Sequence, residues 1–189
     1  TADVLARVGT GVPGQPQPEA TLRLVKGSHV IVPRLVEGED AFILQNADGR
    51  VVFVLPYEGR FSLIGTTDEP FTGDPARVAI SEAEIAYLLK SVAQFFRTPP
   101  STSDVVWSYA GVRPLYDDDP TKPAKAVTRD YHLDLKSIAG AGPLLSVFGG
   151  KITTYRHLAE KVLEKLAPAF PGMGPAWTAE KPLPGGDMA

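Results

Sequence analysis

Short apolar runs separated by turn residues occupy the first half of the chain. These runs are Arg23–Pro33, Ala41–Leu44, Val51–Pro56 and Phe61–Gly65. Runs rich in β-branched and aromatic residues and bounded by pairs such as Asp48-Gly49 are typical of strands. An antiparallel meander is the simplest arrangement of these segments.

The clearest helix follows the meander. Ser81 and Glu84 are spaced as a capping box, which marks the start of a helix. Apolar residues then recur at helical spacing, and Pro99 and Pro100 are predicted to end the helix. The apolar positions are Ile85, Leu88, Leu89, Val92, Phe95 and Phe96. This apolar face must cover the sheet.

The second half of the chain predicts three strands and one helix. Val105–Tyr109 and Ala126–Leu135 are typical of strands, and they flank a polar loop, Tyr116–Lys125, that is expected to be exposed. Pro143–Phe148 is a continuous apolar run, which predicts a strand buried on both faces. A helix is predicted from about Thr154 to Leu166.

The two ends of the chain carry weaker patterns. Asp3–Val8 predicts a short helix, Gly9–Pro18 a connector, and Pro171–Ala189 a tail without periodicity. Gly9–Gly14 has the glycine spacing of a dinucleotide-binding turn. The prolines that follow it cannot open the helix that such a turn requires, so we reject this assignment.

Composition excludes several classes of function. The 189 residues are 43% hydrophobic, enough for one sizeable core or two modest ones, and carry a net charge of -3, which argues against nucleic acid as a partner. The lack of cysteine excludes disulfides, thiol catalysis and thiolate metal ligation. No apolar run is long enough to cross a bilayer and the first residues do not form a signal peptide, so neither is predicted.

One segment combines glycines with the start of a helix. In Phe148–Arg156, a predicted strand breaks at Gly149 and Gly150 and then enters the second helix. Glycines let the backbone approach a ligand closely, and the first helical turn offers N–H groups to an electron-rich partner. Taken alone, a tight structural turn with a threonine cap is the better explanation of the pattern.

The same string resembles the C-terminal flavin-contacting signature of FAD-dependent glycerol-3-phosphate dehydrogenases of the membrane-associated, quinone-linked type. Other segments are similar to that family in the same order and spacing, from Leu22 to nearly the end of the chain. They are Lys26–Pro33, Ile64–Asp68, Tyr109–Leu115, Thr128–Tyr131, Gly174–Trp177 and Leu183–Gly186.

The resemblance implies an α+β fold in which a mostly antiparallel substrate-binding sheet with covering helices is joined to a partial segment of a Rossmann-like FAD domain. It implies four segments: 1–41 as connector and strand from the FAD-domain side, 42–135 as substrate-binding domain, 136–170 as returning FAD-domain strand and helix, and 171–189 as linker. The family's opening strand-GxGxxG-helix element has no counterpart here, so the isolated chain is expected to be inactive.

The implied activity is oxidation of sn-glycerol 3-phosphate to dihydroxyacetone phosphate, with hydride transfer to FAD and electrons passed to quinone. Histidine titrates near neutral pH, and His29 matches the family's active-site histidine, so it is expected to accept the hydroxyl proton. Arg113 matches a substrate-site arginine and is assigned to catalysis and to substrate binding. Thr66 is expected to hydrogen-bond the substrate, whereas Asp68 is expected only to close its turn.

Two further cations and a glycine set complete the predicted site. Arg129 and Lys151 are assigned to the substrate phosphate, although a salt bridge to Asp130 is the alternative for Arg129. The cofactor-binding residues implied by the resemblance are Gly111, Gly149, Gly150, Lys151, Ile152 and Thr153. The adjacent carboxylates Asp117–Asp119 cannot all face one ion and are expected to form a solvated surface, so no metal is predicted.

Two alternatives stay open. A different FAD-dependent amine or hydroxy-acid oxidoreductase would share the glycine-rich turn, but the set of three cations favours a phosphate over a single carboxylate. The chain could also be an inert structural fragment. The resemblance further implies a cytoplasmic location or peripheral association with the cytoplasmic face of the membrane, and a homodimer is compatible with it. Oxygen is the alternative to quinone as terminal acceptor.

Overall fold

The computed structural model describes residues 21–117, 129–137 and 142–188. These residues form two compact units. The sheet unit contains Arg23–Pro114, and the hairpin unit contains the described residues 21–22, 115–117, 129–137 and 142–188. The units do not coincide with the predicted segment 42–135, because the first strand pairs within the sheet and the seventh pairs with the eighth.

An antiparallel sheet forms the centre of the sheet unit. Its strands are β1 (Thr21–Pro33), β2 (Phe42–Gln45), β3 (Val51–Tyr57), β4 (Phe61–Gly65), β5 (Glu69–Pro70) and β6 (Trp107–Asp117). The strand order is β2-β3-β4-β1-β5, and β6 also pairs with β1. Val30 lies opposite Ile64 in the β1–β4 pair, and Val54 lies opposite Ile64 in the β3–β4 pair. The predicted meander is confirmed for β2, β3 and β4, while β1 joins it beside β4.

One face of this sheet is covered by helix α1 (Glu82–Ala93). Side chains alternate between the faces of a strand, so one set of apolar residues faces the helix. The buried cluster consists of Val30, Val32, Leu44, Val52, Val54 and Ile64 from the strands and Leu88, Leu89 and Val92 from the helix. We call the opposite side of the sheet the front face.

Helix α1 begins at the predicted capping box and ends earlier than predicted. The Ser81 side chain accepts from the Glu84 N–H, and the Glu84 carboxylate accepts from the Ser81 N–H. The prediction that Phe95 and Phe96 continue the helix is wrong, because the chain leaves the helix at Gln94. Phe96 instead packs edge-on against Phe42, with ring centroids 5.6 Å apart.

Strand β6 is longer than its sequence pattern predicts. Glycine and proline at Gly111 and Pro114 weaken the strand signal after Tyr109, yet pairing with β1 carries the strand through 11 residues. Asp117 ends the strand and is 7% exposed, so the predicted solvated position is wrong for this residue.

The hairpin unit contains strands β7 (Tyr131–Lys136) and β8 (Leu144–Gly149), which pair antiparallel with Tyr131 opposite Gly149. The prediction that β8 is buried on both faces is wrong, since only Ser146 and Phe148 are buried. A 3₁₀ turn leads into helix α2 (Tyr155–Leu166), as the sequence predicted.

Several predictions fall on residues outside the described ranges. They include the helix Asp3–Val8, the rejected turn Gly9–Gly14 and most of the loop Tyr116–Lys125. In the part of the chain that the structure describes, no helix is both long enough and apolar enough to cross a bilayer.

The Glu84 carboxylate connects α1 to the sheet. Its Oε1 accepts hydrogen bonds from Ser28 Oγ at 2.8 Å and Thr67 Oγ1 at 2.9 Å. Its Oε2 accepts from the Ser81 N–H at 2.8 Å and forms an ion pair with Lys26 Nζ at 2.7 Å. Burial alone would raise the pKa of Glu84, but these partners outweigh burial and lower the pKa from 4.5 to about 2.

This network predicts a specific sensitivity to acid. A carboxyl pKa that is lower in the folded protein stabilises the fold above the unfolded pKa of 4.5, and this contribution is lost as the pH falls towards about 2. The difference corresponds to about 3 kcal/mol. Denaturant titrations across this pH range should show that the free energy of unfolding falls more steeply in the wild type than in Glu84→Gln. Parallel pH curves for the two proteins would contradict the prediction.

Candidate functional site on the front face

The front face gathers the predicted site residues of the sheet unit. In β1, Ser28 and Val30 point towards α1, so Gly27 and His29 point to the front face. Gly65 of β4 lies directly opposite His29. The register of β1 and β4 therefore places Gly65 beside the imidazole.

His29 is held in a half-buried position. Its imidazole stacks on the Tyr109 ring, with centroids 4.8 Å apart and an interplanar angle of 8°. Burial lowers the pKa of His29 below its usual value of 6.5, and the positive charge of Arg113 lowers it further. The imidazole is therefore neutral at neutral pH and able to accept a proton. Among the described residues, the buried Nδ1 atom has no hydrogen-bond partner.

Gly65 leaves the space that the imidazole occupies. A Cβ atom at this position would overlap the ring, lying 2.6 Å from His29 Cγ and 2.8 Å from Nε2. Such distances are well below van der Waals contact. Any side chain at residue 65 must therefore displace His29.

This close contact gives the second prediction. In the full-length flavoprotein that the sequence resemblance implies, Gly65→Ala should slow reduction of the flavin by roughly ten-fold, because misplacing a reacting group by about 1 Å is costly. Stopped-flow absorbance measures this rate directly. Gly172→Ala is the matched control, since a Cβ there meets no atom within 4 Å. Equal rates in both variants would show that the position of His29 does not limit the reaction.

Arg113 lies on the same face and has two partners. Its Nη1 donates to Asp68 Oδ1 at 2.8 Å, and its Nη2 donates to Thr66 Oγ1 at 3.1 Å. The guanidinium also lies over Gly27, where an added Cβ would be 2.5 Å from Nη2. Since Asp68 pairs with Arg113, its predicted role of merely closing a turn is incomplete.

Gly111 lies between two functional candidates on β6. Alternate residues of a strand share a face, so Tyr109, Gly111 and Arg113 line up on the front face. A Cβ at Gly111 would meet nothing within 4 Å, which leaves open space between the ring and the guanidinium. The front face thus combines a neutral imidazole, a fixed cation and room for a small ligand.

The remaining predicted residues belong to the hairpin unit. Gly149 and Gly150 adopt positive φ angles of 67° and 98°, a conformation that favours glycine. Gly149 also approaches the carbonyl of Asp130, since an added Cβ would lie 2.9 Å from this oxygen. Lys151 and Arg129 are exposed, and the turn Ile152–Thr154 that follows is solvent-facing, with Ile152 88% exposed.

Comparison with known proteins shows the family. The sequence profile of the family described as FAD dependent oxidoreductase matches residues 3–156. The chain belongs to the FAD-dependent oxidoreductase family. The sequence resemblance therefore pointed to the correct family.

Two relatives from this family of oxidoreductases are similar over most of the chain. The glycerol-3-phosphate dehydrogenase of Pseudomonas aeruginosa is 58% identical over 88% of this chain and 32% of its own length. The D-erythritol 1-phosphate dehydrogenase of Brucella abortus is 52% identical over 89% of this chain and 33% of its own length. The chain thus spans about a third of the relatives that it matches.

A solved structure is similar in fold. The glycerol-3-phosphate dehydrogenase from Bacillus halodurans, complexed with FAD, aligns with a TM-score of 0.71 and 28% identity. The alignment covers 94% of this chain and 32% of that protein. The antiparallel sheet with its helices is therefore an arrangement found in an FAD-dependent oxidoreductase.

Sequence reasoning missed four contributors to the front face of the sheet unit. Tyr109 and Gly65 shape the surroundings of His29, while Asp68 and Gly27 shape those of Arg113. All four lie within the segments that carry the family resemblance. The signal that could have found them is the alternation of faces along β1 and β6, combined with the β1–β4 register.

Proposed function

We propose that this chain is part of a flavoprotein that oxidises sn-glycerol 3-phosphate to dihydroxyacetone phosphate. The observation that carries the proposal is the pairing of a neutral imidazole, His29, with a fixed cation, Arg113, on one open face. The 58% identity to a glycerol-3-phosphate dehydrogenase supports the choice of substrate. The coverage of about a third of the relatives supports the view that further segments complete the site.

His29 and Arg113 have separate tasks in this reaction. Oxidation of a secondary alcohol requires a base for the hydroxyl proton, and the neutral imidazole of His29 accepts it. The Arg113 guanidinium offers a planar pair of N–H donors to the phosphate oxygens and is oriented by Asp68. Thr66 steadies the guanidinium and lies within reach of the same ligand. In this proposal, Arg129 and Lys151 of the hairpin unit add positive charge for the phosphate.

The hairpin unit offers groups that fit a flavin cofactor. Gly149 and Gly150 hold a turn that side chains would strain, and the exposed residues Lys151–Thr153 precede α2. Backbone N–H groups in such a turn are suited to the electron-rich edge of a flavin or to its phosphates. We assign these residues and Gly111 to FAD binding and the hairpin unit to a partial Rossmann-like domain. When bound by these residues, FAD would supply the hydride acceptor for the reaction.

A second candidate substrate comes from one relative. The similarity to a D-erythritol 1-phosphate dehydrogenase favours a longer polyol phosphate as an alternative, which would use the same base and phosphate-binding groups. An amine or hydroxy-acid oxidoreductase fits less well, because a single carboxylate requires fewer cations than the three assigned here.

The test uses the full-length protein loaded with FAD. Dye reduction with glycerol 3-phosphate should proceed at least ten-fold faster than with unphosphorylated glycerol, since a charge-assisted contact contributes about 1.5 to 3 kcal/mol. D-erythritol 1-phosphate, lactate and glycine are compared at equal concentration. A preference for erythritol 1-phosphate would select the second candidate, and turnover of lactate or glycine alone would refute a polyol phosphate substrate.

The electron acceptor and the assembly belong to the same proposal. We assign quinone as acceptor, cytoplasmic-side membrane association and a homodimer to the full-length protein. Reduction of a soluble quinone analogue under anaerobic conditions tests the first assignment against oxygen. Vesicle sedimentation tests the membrane association, and light scattering tests the homodimer.

The isolated chain, titrated with FAD and glycerol 3-phosphate, should remain inactive.

A further inference from the structure

Two buried hydroxyls connect Glu84 to the segments that carry the front-face site. Ser28 and Thr67 both donate to Glu84 Oε1, at 2.8 Å and 2.9 Å. Ser28 directly precedes His29, and Thr67 directly follows Thr66. Ser28 lies in strand β1, where successive residues point to opposite faces, so Glu84 holds the backbone directly behind His29. Thr66 Oγ1 accepts a hydrogen bond from Arg113 Nη2.

Ser28 and Thr67 are also bonded to each other. The Ser28 N–H donates to Thr67 Oγ1 at 2.9 Å, and the Thr67 N–H donates to the Ser28 carbonyl at 3.3 Å. Thr67 Oγ1 therefore accepts a hydrogen bond from the Ser28 N–H while it donates one to Glu84 Oε1. Both residues are 0% exposed, so water cannot easily replace these bonds.

The two oxygens of Glu84 have different partners. Oε2 contacts Ser81 and Lys26, which completes the helix cap and an ion pair. A carboxylate needed only for the capping box would require no more than Oε2. Oε1 is instead directed at Ser28 and Thr67, on the segments that carry His29 and Thr66. The helix cap does not explain the two hydrogen bonds that Glu84 Oε1 accepts.

We infer that Glu84 is a positioning residue for polyol phosphate oxidation, acting through Ser28 and Thr67 to hold the His29 imidazole in register with Thr66 and Arg113. The inference rests on the proposed function. Planar, trans peptide units transmit a shift of Ser28 or Thr67 directly to the neighbouring residue. Without these supporting contacts, the reacting groups are no longer held in the productive geometry. A displacement of about 1 Å slows a reaction markedly.

The decisive experiment measures flavin reduction per bound flavin in the full-length, FAD-loaded protein. Stopped-flow absorbance with glycerol 3-phosphate gives the limiting rate and the substrate dissociation constant separately. Glu84→Gln and Thr67→Val should each lower the limiting rate by roughly ten-fold or more. Thr67→Val keeps the shape of the side chain and leaves the Oε2 contacts of Glu84 in place. Thr67→Ser, which retains the hydroxyl, should recover most of the rate.

Glu82→Gln is the matched control, because Glu82 is an exposed carboxylate in the same first turn of α1. A purely structural role for Glu84 would lower thermal stability and flavin content but leave the rate per bound flavin unchanged. If Glu84→Gln does not fold, the comparison of the limiting rates of Thr67→Val and Thr67→Ser decides whether Glu84 has a positioning role. A wild-type rate in Thr67→Val overturns the positioning role while the function stands. A wild type whose flavin no polyol phosphate reduces overturns the proposed function and this inference together.

Discussion

His29→Ala in the full-length protein should slow flavin reduction by glycerol 3-phosphate by about a hundred-fold to ten-thousand-fold, the range that general-base catalysis contributes. The neutral imidazole on the front face is the group that we propose takes the hydroxyl proton. Single-turnover stopped-flow measurements report this step without interference from the later transfer of electrons. Substrate affinity should change much less, because Arg113 and its partners remain in place.

The pH dependence separates a base from a simple hydrogen-bonding group. Burial and the charge of Arg113 lower the pKa of His29, so the neutral form persists below pH 6.5. The rate should fall only as the pH drops through this lowered pKa, and His29→Ala should lack this acid limb. A variant that binds substrate weakly but keeps the wild-type limb would show that another group accepts the proton.

Arg113→Ala should lower kcat/KM for glycerol 3-phosphate by roughly ten-fold to a hundred-fold, because a charge-assisted contact to an ionised ligand contributes about 1.5 to 3 kcal/mol. The substitution also removes the ion pair between Arg113 and the Asp68 carboxylate. Steady-state dye reduction measures the effect. Lys90→Ala, which removes an exposed lysine of α1, is the control for loss of one positive charge.

Arg113→Ala has a second expected consequence for His29. Removing the guanidinium removes a positive charge that lowers the imidazole pKa, so this pKa should rise towards 6.5. The acid limb of the flavin-reduction rate should therefore move to higher pH in the variant. An unchanged efficiency together with an unmoved limb would return Arg113 to a structural role.

Local patterns predicted the elements whose signals lie close together in sequence. The capping box at Ser81 and Glu84 and the period-two runs of β2–β4 depend on near neighbours, and both are found. The end of α1 and the length of β6 depend instead on tertiary contacts, namely the packing of Phe96 on Phe42 and the pairing with β1. Propensity alone does not contain these contacts.

The site shows the same division. His29, Thr66 and Arg113 are predicted site residues from the family resemblance, and the structure brings these three together on the front face. Their supporting partners were not identified, because each depends on a contact between distant segments. Asp68 reaches Arg113 across 45 residues, and Glu84 reaches Ser28 across 56. Nothing in the spacing of a single strand or helix indicates such pairs.

Strand β1 alternates between two kinds of position, and this alternation limits how the strand can change length. Lys26 and Ser28 hold Glu84 on one side, while Gly27 and His29 face the ligand side. Inserting one residue between Lys26 and Gly27 would place Lys26 and Ser28 on opposite faces of the strand, because a one-residue slip turns the side chains beyond it to the other face. The length of this segment is therefore under tighter constraint than its composition, and natural variation here should consist of substitutions rather than insertions or deletions.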